Sequence, residues 1–113
     1  MVQTSVKNLN LIKDYFKKLK KINVEKVVFF GSRAKGNFHN DSDFDLIVVS
    51  KEFENLRQDK RVLLSYKLWK NDFALELLCY TPKEFEERKN GLNIVSEALK
   101  EGIEMKRKNS HKN

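Results

Sequence analysis

The fold of this chain is decided by residues 27–49, VVFFGSRAKGNFHNDSDFDLIVV. Two apolar runs, residues 27–30 and 46–49, enclose a stretch that is rich in Gly, Asn, Asp and Ser. Each run is too short for a helix, which predicts two buried strands, the second of them starting at Asp43. The polar stretch between them predicts turns, with room for about one helical turn after Ser32.

The hydrophobic pattern outside this stretch predicts helices and one more strand. Pro82 is suited to the first position of a helix, and Thr81 before it is suited to the cap. The resulting order of elements predicts an α/β (α+β) fold, with a small mixed β-sheet flanked by helices. We expect a strand over FALELLCY, residues 73–80, and helices over residues 9–22, about 53–70, from 82 onward, and about 92–100.

Length and composition predict one globular domain with one hydrophobic core, because the chain has 113 residues. No apolar run approaches the ~20 residues of a membrane span. The N-terminus does not resemble a secretory signal, so we expect a cytoplasmic protein. The net charge is +7, but four basic residues lie in the last eight positions. We therefore expect a single domain over residues 1–105 and a basic, disordered tail over residues 106–113.

Two aspartates stand at the start of the second predicted strand, where folding alone does not favour them. Side chains alternate along a strand, so Asp43 and Asp45 should project from the same face. Two such charges ~6 Å apart repel by about 3 kcal/mol at an effective dielectric near 20. A hard divalent cation such as Mg²⁺ would relieve that repulsion. The alternative is a frayed strand end at which both carboxylates face water.

A glycine and a serine directly follow the first predicted strand. Gly31 has no Cβ, so a ligand can approach its main chain closely, and Ser32 adds a hydroxyl donor. This pattern suits a phosphate, with Arg33 and Lys35 adding positive charge. A plain turn with solvated basic residues is the alternative.

A third acidic residue, Glu76, interrupts the apolar run of the third predicted strand. If that strand neighbours the one that carries the aspartates, the three carboxylates converge. Three acids beside a phosphate-binding turn match phosphoryl transfer assisted by two metal ions. The alternative is a strand edge at which Glu76 faces solvent.

The central motif resembles the signature of the DNA polymerase beta-like nucleotidyltransferase superfamily. That signature is Gly-Ser, here Gly31 and Ser32, then about ten residues, then Asp-x-Asp, here residues 43–45. The stretch is especially similar to the stand-alone minimal nucleotidyltransferases, which share the loop of residues 33–36 and Ser42. The resemblance continues more weakly through LELLCYTPKEFEERK to the final helix.

The resemblance implies a site in which Asp43 and Asp45 hold Mg²⁺. Glu76 would complete the catalytic and metal-binding set, although many family members carry Asp at that position. The resemblance also implies that four residues bind the nucleotide: Gly31, Ser32, Arg33 and Ser42.

The resemblance implies an enzyme that moves a nucleoside monophosphate, AMP from ATP in the expected case, and releases pyrophosphate. The acceptor would belong to a partner protein of the HEPN type (higher eukaryote and prokaryote nucleotide-binding), with this chain as the antitoxin of the pair. Because Glu76 is unusual, a catalytically weak nucleotide-binding antitoxin that acts by direct binding is the alternative. An RNA-binding module that uses the basic tail is a third reading, but the chain lacks the interleaved aromatic and basic residues of such modules.

Overall fold

The computed structural model describes residues 5–107, and its centre is a four-stranded mixed β-sheet. The strands are β1 (Val24–Phe30), β2 (Phe44–Ser50), β3 (Leu75–Tyr80) and β4 (Ile103–Lys106). Their order is β3-β2-β1-β4. β1 is antiparallel to both β2 and β4, whereas β2 and β3 are parallel. The predicted fold class and the mixed sheet are confirmed.

Five α-helices and two 3₁₀ turns form around the sheet in the described part of the chain. The helices are α1 (Val6–Lys18), α2 (Ser32–Lys35), α3 (Gln58–Tyr66), α4 (Pro82–Arg88) and α5 (Ile94–Glu101); the 3₁₀ turns are Leu19–Ile22 and Lys51–Phe53. The predicted start of α4 is confirmed, because Thr81 and Glu84 form a reciprocal capping box ahead of Pro82. None of the helices within residues 5–107 is long and apolar enough to span a bilayer.

The helix expected over residues 53–70 is shorter than predicted. The chain passes through Asn55 with a φ of 64°, a left-handed conformation that interrupts helical geometry, and α3 begins only at Gln58. β3 likewise begins at Leu75, two residues later than the apolar run suggested.

The sheet carries a hydrophobic cluster on each face, where we expected a single core. Side chains alternate between the two faces of a strand, so a sheet with helices on both sides needs both faces to be apolar. The first cluster includes residues of α1 and α3 and the side chains Phe29, Phe44, Leu46, Val48, Leu77 and Cys79. The second cluster joins α4 and α5 to the opposite face through Val28, Ile47, Val49, Phe85, Val95 and Ala98.

The C-terminal boundary of the domain differs from the prediction. Lys106 is the last residue of β4 and lies opposite Lys26. Arg107 donates from its Nε to the Val24 carbonyl at 2.9 Å. These two residues therefore belong to the folded domain, and the rest of the predicted tail, residues 108–113, lies outside the described residues.

Candidate active site

The two sequence motifs and Glu76 meet at one edge of the sheet. β1 ends there at Phe30, and β2 and β3 both begin there, because β2 is antiparallel to β1 and parallel to β3. In the strand register, Asp45 lies opposite Phe30 on one side and opposite Glu76 on the other. The prediction that Glu76 lies on the strand next to the aspartates is confirmed.

Phe44, the residue between the two aspartates, fixes the direction of the Asp45 side chain. It is fully buried in the first cluster, where its ring stacks 5.9 Å from Phe29 and meets the edge of Trp69 at 5.4 Å. Because neighbouring side chains in a strand point to opposite faces, the Asp45 carboxylate lies on the other side of the sheet. Asp43, directly before β2, is close enough that its charge acts on Asp45.

The glycine of the Gly-Ser turn touches the Asp45 carboxylate. Gly31 has a φ of 82°, which L-residues with side chains rarely adopt, and a Cβ built on it would lie 2.2 Å from Asp45 Oδ2. Any other residue at position 31 would therefore displace the carboxylate. The short helix α2 starts directly afterwards, with the N–H groups of Ala34 and Lys35 donating to the Gly31 carbonyl. The fold thus places the predicted phosphate-binding turn against the predicted metal ligand.

The surroundings of Asp45 disfavour the ionised form of its carboxyl group. Its pKa is raised to about 6, mainly by burial and in addition by the charges of Glu76 and Asp43. A cation would remove this penalty, so the donor set fits a hard divalent ion. In residues 5–107, no group of three or more His, Cys, Asp and Glu side chains is already arranged to hold a metal. Two neighbouring carboxylates such as those of Asp43 and Asp45 suit Mg²⁺, which binds one or two carboxylates and takes its other ligands from water and phosphate.

Glu76 is both a neighbour of Asp45 and exposed to solvent, because β3 is an edge strand. Adjacent strands lie about 4.8 Å apart, and paired residues point to the same face, so the two carboxylates share one surface. The side chains of β3 alternate between the faces of the sheet, since Leu78 packs with the second cluster and Leu77 and Cys79 belong to the first. Glu76 thus pairs with Asp45 and faces solvent, and the convergence of all three carboxylates on one metal site stays a prediction.

A pocket of about 190 Å³ opens beside Asp45 and Glu76. Its walls are mostly apolar, and they include Phe30, Leu78 and Ile94. Ile94, the first residue of α5, is not among the predicted site residues. Its place in the pocket depends on how α5 packs across the sheet, and no local pattern reports that.

Arg33 is placed differently from the prediction. We expected it to contact the nucleotide, but its side chain is buried, with only 2% of the residue exposed. Its guanidinium donates to main-chain carbonyls of the loop before Asp43 and is surrounded by aromatic rings. Because the guanidinium is buried and already engaged by these carbonyls, its placement does not support the predicted role of Arg33 as a direct nucleotide contact.

The two serines predicted to bind nucleotide lie at the start of α2 and in the turn before Asp43. Ser32 is half-buried and is the first residue of α2. Ser42 closes a turn before Asp43, because its N–H donates to the His39 carbonyl at 3.0 Å and its Oγ accepts from the His39 N–H at 2.9 Å. Nucleotide binding by either serine stays a prediction.

A family model described as a nucleotidyltransferase domain matches residues 9–106. The chain belongs to this nucleotidyltransferase domain family. The match includes every residue of the site, from Gly31 to Glu76, and it confirms the superfamily that the central motif predicted. It also extends through β4 to Lys106, in agreement with the domain boundary in the structure.

One curated relative shares part of the sequence. The chain is 28% identical over 58 residues to a protein of Methanocaldococcus jannaschii named "Putative protein adenylyltransferase". The match covers 49% of this chain and 59% of the relative. The chain thus spans less than two thirds of the length of the relative that it matches.

Two solved structures have similar folds. A crystal structure described as a "putative nucleotidyltransferase" from Sulfolobus solfataricus has a TM-score of 0.55 at 22% identity, covering 76% of this chain and 86% of the other. BolA1 from Arabidopsis thaliana has a TM-score of 0.53 at 26% identity, covering 66% of this chain and 95% of the other. Because proteins of such different names share the fold, the fold alone does not indicate the activity.

Proposed function

We propose that this nucleotidyltransferase moves a nucleoside monophosphate, AMP from ATP in the expected case, onto a side chain of a partner protein in a Mg²⁺-dependent reaction. One observation carries the proposal: the Gly31 turn lies against Asp45, and Asp45 is paired in the sheet with Glu76. This juxtaposition supports the proposal, because it would bring phosphate, a cation and the Glu76 carboxylate together on one surface.

In the proposed transfer, the aspartates and the Gly-Ser turn have separate roles. Asp43 and Asp45 would hold Mg²⁺, which when bound offsets the negative charge of the phosphates. The main chain at Gly31 and the Ser32 hydroxyl would contact the triphosphate, because the absence of a Cβ allows a close approach. Positioning of the two substrates accounts for much of the expected rate enhancement.

Glu76 is the candidate general base, since it is exposed and borders the pocket beside Asp45. The acceptor hydroxyl would lose its proton to the Glu76 carboxylate as its oxygen forms a bond with the α-phosphorus. The bond from the α-phosphorus to the bridging oxygen would break, and pyrophosphate would leave with that electron pair. Atoms and charge balance without any further reactant.

A protein acceptor is supported by the name of the Methanocaldococcus jannaschii relative, "Putative protein adenylyltransferase". The mostly apolar walls of the pocket beside Glu76 would suit the body of a protein side chain that ends in a hydroxyl. An antitoxin role beside a HEPN-type partner follows from the family resemblance alone and is part of the same proposal.

A second candidate function is a nucleotide-binding antitoxin that transfers poorly and neutralises its partner by binding. The observation in its favour is the exposed position of Glu76 on an edge strand, where solvent competes for the carboxylate. Both candidates require nucleotide binding at the same site, and they differ in whether a covalent product forms.

The test is a transfer assay with α-labelled ATP, CTP, GTP and UTP, in Mg²⁺ or in EDTA, with and without the protein encoded by the neighbouring gene. Label should move to the partner in Mg²⁺ with wild-type protein and with Asp59→Asn, an exposed acid on α3 used as a matched control. Asp45→Asn should abolish the transfer. Nucleotide binding without any labelled product would favour the second candidate, and full transfer by Asp45→Asn would contradict both.

A further inference from the structure

Arg33 follows directly after the Gly-Ser turn, but its side chain points into the protein. It is 2% exposed, and it forms no ion pair with a carboxylate among residues 5–107. A buried guanidinium without a counterion is costly unless hydrogen bonds and aromatic contacts replace its hydration. The contacts that perform this replacement indicate what the residue does.

The hydrogen bonds of Arg33 all go to one short stretch of main chain. Its Nε donates to the Ser42 carbonyl at 2.7 Å, and its Nη2 donates to the Asn40 carbonyl at 3.0 Å, with a longer contact of 3.5 Å to His39. These carbonyls belong to the turn that ends directly before Asp43. Hydrogen bonds from a charged donor are stronger than neutral ones, so the turn is held firmly to α2.

Three aromatic rings surround the same guanidinium. Its central carbon lies 4.8 Å from the ring centroid of Phe38, 4.5 Å from that of Phe44 and 4.9 Å from that of Phe73. Phe44 is the residue between Asp43 and Asp45, so the guanidinium touches the strand segment that carries the acids. Lysine does not reproduce this arrangement, because a planar fork is needed to stack on rings and to bridge two carbonyls.

We propose that Arg33 is a positioning residue that fixes Asp43 relative to the Gly31–Ser32 turn. The main chain of Arg33 belongs to α2 and is tied to that turn, while its side chain holds the loop that presents Asp43. Arg33 thereby joins the two halves of the site without touching the substrate. The inference rests on the proposed function, because it assigns the geometry of the same site to a residue outside it.

Arg61 offers a matched control for this role. It is the other deeply buried arginine of the described chain, 7% exposed, and it also donates to main-chain carbonyls, those of Leu56 and Cys79. It pairs with Glu84 and connects α3 to β3 and α4, and none of its contacts reaches the loop before Asp43. Arg61→Lys should therefore reduce stability without moving the site.

The first measurement compares Arg33→Lys with Arg61→Lys in steady-state transfer, well below the melting temperature of either variant. We expect Arg33→Lys to lower kcat on the order of 10²-fold, because small misplacements of a reacting group have effects of that size, with a smaller change in the KM for nucleotide. Arg61→Lys should keep the wild-type kcat. A raised KM with unchanged kcat in Arg33→Lys would indicate a direct nucleotide contact and overturn the proposal, as would equal kcat values for the two variants.

The second measurement does not depend on activity. Amide hydrogen exchange in the nucleotide-free protein should accelerate across residues 37–43 in Arg33→Lys and stay at the wild-type rate there in Arg61→Lys. Titration with Mn²⁺, followed by electron paramagnetic resonance, should show weaker binding only in Arg33→Lys. Unchanged exchange in that loop would overturn the proposal even if activity falls.

If Arg33→Lys does not fold, Phe38→Leu serves as the second variant. It removes one of the three rings around the guanidinium and should cause the same changes in the loop with a smaller amplitude. If the wild-type protein transfers no nucleotide, the proposed function fails, but loop exchange and Mn²⁺ affinity still decide whether Arg33 positions Asp43. Wild-type exchange rates in the Phe38→Leu loop would then contradict the role.

Discussion

Asp45 is the residue at which folding and function place opposite demands. Phe44 is anchored in the first cluster, which directs Asp45 to the opposite face, and there it meets the charge of Glu76 and the main chain of Gly31. The folded state consequently favours the protonated form of Asp45 more than the unfolded state does. Such a conflict is expected where a site is built to receive a cation.

Replacing Asp45 by Asn should stabilise the metal-free protein at neutral pH. Its folded pKa, about 6, lies above the ordinary 3.8, so ionised Asp45 destabilises the fold above pH 6 and the penalty disappears as pH falls below about 4. We expect a gain of about 1 kcal/mol at pH 8, less than the full shift implies, because solvent screens a half-exposed carboxylate.

The measurement is urea unfolding of wild type and Asp45→Asn in EDTA between pH 4 and pH 8. The difference in unfolding free energy between the two proteins should be largest at pH 8 and should nearly vanish at pH 4. A variant that is less stable than wild type at pH 8 would contradict this account of the carboxylate.

Gly31→Ala should damage the site more than the backbone strain alone explains. The new Cβ would lie 2.2 Å from Asp45 Oδ2, so the carboxylate must move, and the backbone of Gly31, with φ 82° and ψ −169°, adds strain of roughly 1–3 kcal/mol for any residue with a Cβ. Gly36→Ala is the matched control, because Gly36 has a φ of 90° and lies at the other end of α2. Isothermal titration with Mg²⁺-ATP should show lost binding in Gly31→Ala and near wild-type binding in Gly36→Ala. Equal binding of Mg²⁺-ATP by the two variants would show that the Gly31 turn is not part of the nucleotide site.

At the scale of secondary-structure elements, the predictable parts are those with strong local patterns. β1 and β2 are continuous apolar runs, and α4 has both a capping residue and a proline at its start, so sequence alone predicts them. β4 has only four residues, alternately half-buried and exposed, after α5, and it becomes a strand by pairing with β1. Gly102 permits this close approach, because a Cβ there would lie 2.6 Å from the Phe29 carbonyl oxygen.

Lys106 and Arg107, the last two described residues, contribute to the fold through their contacts. The Arg107 guanidinium lies 3.9 Å from the ring centroid of Phe16 and donates to the carbonyls of Phe16 and Val24. The charge pattern alone predicted a solvated tail from residue 106, because a basic residue in such a run is usually exposed. The position of Arg107 depends on a strand pairing and a helix 91 residues away in sequence, which a local pattern does not contain.

Two truncations should therefore behave differently. Removal of residues 106–113 deletes the end of β4 and the Arg107 contacts, and it should lower the melting temperature by several degrees, since 1 kcal/mol corresponds to roughly 4–8 °C in a domain of this size. Removal of residues 108–113 keeps those contacts and is the matched control. Thermal unfolding monitored by circular dichroism compares the two proteins. Equal melting temperatures would show that Lys106 and Arg107 contribute little to stability.

At the scale of the whole molecule, the site depends on contacts between distant parts of the sequence. Sequence predicts Asp43, Asp45 and Glu76 as candidates because each contradicts the folding pattern around it. It does not predict the burial of Arg33, since the rings that cover its guanidinium include Phe73, which is 40 residues away. The similarity to BolA1 shows that this kind of fold also occurs in proteins of different name, so the arrangement of the side chains distinguishes the site.

If the site works as proposed, nucleotide and metal should stabilise the folded chain together and only weakly apart. A ligand that binds only the folded state adds about 2.7 kcal/mol at 100 times its Kd, which corresponds to a shift of roughly 10 °C or more in a domain of this size. Without a cation, the ionised Asp45 is repelled by the charges of Glu76 and Asp43, and the triphosphate would add to that repulsion. Each ligand should therefore bind tightly only when the other is present. Differential scanning fluorimetry should give a large shift with ATP and Mg²⁺ and small shifts with Mg²⁺ alone or with ATP in EDTA. Asp59→Asn should behave like wild type, and Asp45→Asn should lose the joint shift. An equal shift with ATP in EDTA would place the nucleotide away from these carboxylates and would contradict the metal-dependent site.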